Sequence, residues 1–231
     1  MSTGEDKDDV RGRLVEAAIR LLADNGPEAL QARKVAAEIG ASTMAVYTHF
    51  GGMGELIDAV GREGFRRLSA SLDAVPSSDD TVADLFTMAL AYRRTALENP
   101  HLYAVTFGLS APGGRRVTLS DITDPHGKTG EGLTAFGFLL DATTRAIDAG
   151  RFRPADPLVA AAQLWSAVHG YVTLEISGHF GETGVELILR PLNATIALGL
   201  GDTIEKTTRS LQRSTHTWQQ AGGNIHPRSG D

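Results

Sequence analysis

In this chain of 231 residues, the types and spacing that can do specific chemistry concentrate between Arg33 and Phe50, RKVAAEIGASTMAVYTHF. Two short helical runs flank Gly40, the pattern of a helix-turn-helix. In the second run Val46 and Phe50 are four apart and share an inward face. Met44 and Thr48, also four apart, take the opposite face, with Ala45 and Tyr47 beside them. That outward face is short, narrow and uncharged, which suits the major groove of a DNA duplex. Met44 and Ala45 can touch thymine methyls. Thr43, Thr48 and His49 offer hydrogen bonds to base edges or phosphates, and Tyr47 carries a hydroxyl at phosphate reach. Arg33 can reach a phosphate or a guanine edge.

Other chemistries find little support. The chain has no cysteine, which excludes disulfides, thiolate metal sites and a cysteine nucleophile. Asp121, Asp124 and His126 cluster, but an Asp-rich solvated loop explains them better than a metal, and no second histidine stands at ligand spacing. His179, His216 and His226 are scattered. Gly51-Gly52-Met53-Gly54 is not followed by Gly-Lys-Ser/Thr and is no phosphate loop. No Gly-x-Ser-x-Gly elbow is present. We therefore expect no catalytic residue, no metal and no cofactor. Arg115-Arg116 is too small to count as a basic patch. Further on, Trp165 and His169 lie four apart on one helical face. A core tryptophan beside a satisfied histidine is the plainer reading, and a ligand-pocket wall the sharper one. Tyr92, Tyr103, Phe107, Phe136 and Phe138 are further pocket candidates.

The elements that must carry these residues read as helices throughout. Val10, Leu14, Ala17, Ala18, Leu21 and Leu22 make one apolar stripe, closed by Asn25-Gly26-Pro27. Ser42 stands where an N-cap belongs. A longer helix begins near Gly54, and another runs from Thr81 until Pro100 stops it. The stretch 108–130, rich in Gly, Pro, Ser and Asp, reads as a mobile loop. Helices follow over 131–149, from Asp156-Pro157 to about Ser177, and over roughly 184–200, where Pro191 should kink the chain. The fold class is all-α, with about nine helices. Residues 1–8 are expected to form a disordered arm, 9–68 a DNA-binding domain, 69–200 a second helical domain and 201–231 a polar, disordered tail. No apolar run approaches the roughly 20 residues of a membrane span, and no secretory signal is visible, so a cytoplasmic protein without membrane association is expected. Net charge is −6, so a DNA-binding reading rests on local pattern.

The first 68 residues resemble the TetR family of transcriptional regulators, over about Val10 to Leu68: a helix, NGPEAL, RKVAAEIG, AST, MAVYTHF, then a helix near Glu55-Leu56. The ending Tyr47 to Phe50 after Ile39-Gly40-Ala41-Ser42 carries the likeness. Trp165, His169 and Gly170 look like the subgroup named for a Trp-His-Gly motif, as does TALENPHLYAVTFG (Thr95 to Gly108). The resemblance implies a three-helix DNA-binding head on a larger ligand-binding and dimerisation domain. It implies DNA contacts by Arg33, Thr43, Met44, Ala45, Tyr47, Thr48 and His49. It implies a homodimer through helices at about 157–177 and 184–200, set to reach a double-stranded DNA operator at major grooves about 34–36 Å apart. It implies a small-molecule effector, hydrophobic or amphipathic given the apolar walls, that releases a repressor from its operator.

Two departures bear on that reading. The family often has a hydroxyl residue where Gln31-Ala32 stand, an N-cap typically worth about 1 kcal/mol. It often has Ser-Lys where Gly52-Met53 stand, which removes one phosphate cation and about one unit of salt slope. Between Val10 and Leu68 there are eight Lys and Arg against seven Asp and Glu, so phosphate attraction must come from a few placed groups. The alternative is a small-molecule binding dimer whose head is weakened or lost. An all-α enzyme has no nucleophile–base pair to support it.

Overall fold

The computed structural model describes residues 3–124 and 130–224, with side chains from Asp9 onward. His126 and His226 lie outside the described residues. The helices run, in order, α1 (Thr3–Asn25), α2 (Ala32–Glu38), α3 (Met44–Phe50), α4 (Met53–Asp73), α5 (Thr81–Glu98), α6 (Pro100–Thr106), α7 (Glu131–Asp148), α8 (Pro157–Ile176), α9 (Arg190–Gly199) and α10 (Ile204–Gln220). Short 3₁₀ turns occupy Pro27–Ala29 and Pro112–Gly114, and a π-helical turn, Val185–Leu189, leads into α9. Among the described residues there is no strand, and no helix is long and apolar enough to cross a membrane.

The chain divides into two compact units, one made of 1–68 with 98–133, the other of 69–97 with 134–231. The first is built on the stripe of α1. Leu14, Ala17, Ala18, Leu21 and Leu22 bury against Val35 of α2, Val46 and Phe50 of α3, and Leu56 and Val60 of α4. α1 begins at Thr3, where a disordered arm was expected, because no helix breaker separates residues 5–9 from the apolar stripe. α6 also packs on α1. The Asn99 side chain caps α6 by accepting from the Leu102 amide at 2.9 Å, and Leu102 and Val105 enter the core of the head. A second domain running unbroken from residue 69 would not place them there.

The expected mobile loop has a seat over its described part, 108–124. Val117 is 8% exposed and joins the core of the head. It fits because α4 has a glycine opposite it: a β-carbon on Gly61 would lie 2.6 Å from Val117 Cγ2. The Thr118 amide donates to Asp58 Oδ1 at 3.1 Å, fixing the loop one turn nearer the amino end of α4.

In the second unit α5 is buried nearly all round, from Val82 to Tyr92, the mark of a central helix. α8 opens as expected, its Asp156 side chain accepting from the Leu158 amide with Pro157 at the first position. Pro191 lacks the N–H that an α-turn would require, and the π-turn just before it absorbs the mismatch. The expected tail differs most. α10 is an ordered helix that packs on α9 and buries Thr207, Ser210, Ser214 and Trp218. Arg151 forks onto Asp202, with Nε–Oδ1 at 2.9 Å and Nη2–Oδ2 at 2.7 Å, and reaches Asp80 Oδ1 at 2.7 Å. The Ser210 hydroxyl donates to Asp80, and that of Thr207 to Asp202. These polar groups hold α10 where an apolar stripe would ordinarily do so. Arg93 makes a forked pair with Glu175 at 2.7–3.1 Å, both side chains buried.

Candidate nucleic-acid interface

The turn between α2 and α3 is set by Gly40, whose φ of 68° is the left-handed conformation that only glycine adopts without strain. The Ala41 amide reaches back to the Ala36 carbonyl at 2.9 Å and the Gly40 amide to Ala37 at 3.0 Å, a Schellman-type close. Gln31 supplies no side-chain cap to α2, as the missing hydroxyl predicts. Ser42 does not cap α3 with its side chain. The helix starts at Met44 behind Thr43, and Ser42 contributes its carbonyl to the Ala45 amide.

Val46 is fully buried and Phe50 nearly so, which fixes the rotation of α3 about its axis. Arg11 lies over the Phe50 ring, 4.8 Å from its centroid, and an Arg13 Nη2 donates to the Ile39 carbonyl at 3.3 Å. With that rotation Met44 is 66% and Tyr47 52% exposed. Thr43, Thr48 and Arg33 are exposed too, while Ala45 and His49 are half-buried on the flank. A large thioether and a phenol are thus held mostly in water on the rim of a well-packed head. They present an apolar and hydroxyl-bearing surface one helix wide, as major-groove reading requires. Part of the positive charge of the head is committed elsewhere: Arg67 pairs with Glu16 and Glu63 at 2.7 and 2.9 Å, and Arg66 with Glu63 at 2.6 Å. These guanidiniums hold the Glu63 carboxyl below the usual carboxylate range, first through the Arg66 hydrogen bond.

The aromatic candidates fall into two groups. Tyr103 and Phe107 belong to the first unit, where Phe107 meets Phe65 edge-on at 5.1 Å and Tyr103 at 4.8 Å. Tyr92, Phe136, Trp165 and His169 gather in the second. The Tyr92 hydroxyl and His169 Nδ1 are 2.8 Å apart, Trp165 Nε1 donates to the Tyr92 oxygen at 3.4 Å, and Phe136 meets Trp165 edge-on at 6.0 Å. Burial pushes the His169 imidazole below its ordinary pKa, so at neutral pH it is uncharged and its Nδ1 can accept from the tyrosine. Phe138 is half-buried on α7, and the ring contacts of this cluster are made by Phe136 instead. Among the described residues no group of three acidic or histidine side chains could hold a metal. Spacing did not reveal the Arg151–Asp80–Asp202 network, whose members are 51 and 71 residues apart.

Comparison with known proteins agrees with this geometry. Residues 14–60 match the family described as bacterial regulatory proteins of the tetR family, and residues 85–189 the tetracyclin repressor-like C-terminal domain. The HTH-type transcriptional regulator Mb1846 of Mycobacterium bovis is 24% identical over 215 residues, spanning 80% of this chain and 87% of that protein. A solved structure of a protein of unknown function from Rhodococcus sp. RHA1 is 26% identical, with a TM-score of 0.68 over 84% of this chain and 96% of that one. RolR, solved in complex with resorcinol, shares the fold at 14% identity and a TM-score of 0.60, over 91% and 95% of the two chains. The helix-turn-helix head and the helical second unit of this chain thus each match a family model of the same family, and the chain belongs to the TetR family of transcriptional regulators.

Proposed function

We propose that this regulator is a homodimeric repressor, released from a pseudo-palindromic operator by a small hydrophobic or amphipathic effector. The observation that carries the reading is the α3 surface, exposed at Met44 and Tyr47 while Val46 and Phe50 lock the helix from behind. Met44 and Ala45 meet thymine methyls. Thr43, Thr48 and His49 bond base edges or backbone, and Tyr47 and Arg33 hold phosphates. α8 and α9 supply the dimer face: Val159 and Leu174 on α8, and Leu187, Ile188 and Leu198 on the π-turn and α9, are large apolar side chains exposed in the single chain. Such a patch marks an interaction surface. The effector site is built around Trp165, His169, Tyr92 and Phe136, an aromatic wall with a polar edge. The Trp165–His169–Gly170 signature supports the Trp-His-Gly subgroup, and resorcinol in RolR is a small aromatic of fitting chemistry. Tyr103 and Phe107, in the other unit, are left out of that site.

Selection of duplexes from a random library tests the proposal. Enrichment of an inverted repeat with half-sites about one helical turn apart is expected, and a folded dimer that prefers no sequence would overturn it. The near-neutral head, with Gly52-Met53 after α3, favours one second reading: a ligand-binding dimer with a weakened head. Calorimetric binding of small aromatics without any gel shift would establish that reading instead.

A further inference from the structure

We propose that Arg115 and Arg116, far from the helix-turn-helix in sequence, are phosphate-binding residues that grip the DNA backbone beside α3. The inference rests on the DNA-binding reading above. The two arginines sit on the 108–124 stretch, both exposed. They line an open groove whose other walls are Tyr47 at the exposed face of α3 and Gly52, Met53 and Gly54 at the amino end of α4. The groove therefore continues the surface offered to the duplex.

Three contacts hold the arginines there. Val117, the next residue, is plugged into the core of the head opposite Gly61. The Thr118 amide is bonded to Asp58. Arg115 lies so close to α4 that a β-carbon on Gly54 would sit 2.7 Å from its Nη1. The backbone that carries both arginines is thus anchored at the two residues that follow, and the Arg115 guanidinium rests on α4, which lowers the entropy lost on binding. No ion pair ties either arginine to a carboxylate among the described residues, whereas Arg66 and Arg67 are paired. Glu55 and Asp58 share the groove. Asp58 already accepts from Thr118, and Glu55, exposed, opposes a phosphate.

The charge inventory favours a DNA backbone as the occupant. The α3 surface is uncharged, and residues 10–68 carry a surplus of one positive charge. A polyanion approaching α3 needs cations at its flank, and these two stand there in both protomers of a dimer. Phosphate contacts of this kind raise affinity for all sequences and leave preference unchanged.

The test uses the full-length dimer, the duplex enriched from a random library by the wild-type protein, and a scrambled duplex of the same length. For R115Q/R116Q, log K against log salt is expected to flatten by about 3.6 units per dimer, at ~0.9 unit for each of the four phosphate contacts removed. Affinity should fall equally for both duplexes, so the ratio between them is kept. R115K/R116K should restore the slope, and Glu55→Gln should tighten binding to both. An unchanged slope in R115Q/R116Q, with wild-type preference intact, refutes the arginine grip alone. A wild-type dimer without preference refutes the DNA reading and this inference with it. Helical circular dichroism checks that the variants are folded.

Discussion

At the level of single side chains, the proposed recognition surface makes the sharpest demand. Tyr47 is half in water and supports no core contact, so Tyr47→Ala should leave the unfolding midpoint unchanged. Operator affinity should fall by about 1–3 kcal/mol, roughly 10- to 100-fold, as for other direct contacts; a gel shift beside a thermal melt measures both. Val46→Ala should do the reverse. It removes two methyls from a fully buried site and costs about 1–3 kcal/mol of fold stability, so DNA binding is lost only as the head unfolds. His169 gives a pH signature. Its pKa is depressed by burial in the folded chain, so the unfolded chain binds a proton first, near the ordinary value of about 6.5. Stability from this group is complete above that pH and declines as pH falls through the lowered folded value. The lowered carboxyls of Asp80, Asp202 and Glu63 add losses only at more acidic pH. Thermal melts from pH 7.5 to 5 should show the midpoint dropping in wild type, and dropping less in His169→Gln.

Helices and loops show which parts of the chain local pattern can reveal. The α2–turn–α3 unit was readable because its pattern lies within eighteen residues: Val46 and Phe50 inward, Gly40 in the turn, Met44 and Thr48 outward. The aromatic pair Trp165 and His169 was readable for the same reason, but its partner Tyr92 is 77 residues from His169, and spacing says nothing about that. α10 escaped detection because its buried positions are Thr207, Ser210, Ser214 and Trp218. They recur at helical intervals, yet hydrophobicity marks only the last. The helix is held by carboxylates and an arginine supplied from residues 80, 151 and 202. Arg151→Ala should therefore cost about 3–5 kcal/mol, since it leaves two shielded carboxylates without their cation, and chemical denaturation measures the loss. The seat of the 108–124 stretch was invisible for a different reason: it depends on side chains that α4 lacks. Gly61→Ala should expel Val117, with about 1–3 kcal/mol of strain or lost packing, and should release Arg115 and Arg116 from their fixed position, which a flatter salt slope would report.

For the whole protein, the proposed dimer is what would bring two α3 helices to one operator. Leu187 is 67% exposed in the single chain and sits on the proposed dimer face. Leu187→Glu should lower helicity little, shift sedimentation from dimer toward monomer, and reduce operator affinity by several orders of magnitude, because a half-site bound alone loses the second head. The first compact unit is woven from two separate stretches, 1–68 and 98–133, with residues 69–97 built into the other. Leu102, Val105 and Val117 reach its interior from the later stretch. A chimera joined at residue 68 would thus set this head against another chain's residues at three interior positions, and each mismatch in volume costs stability. A single crossover at residue 68 is therefore expected to weaken this head, so a transplant of its operator preference should carry the later stretch along with it.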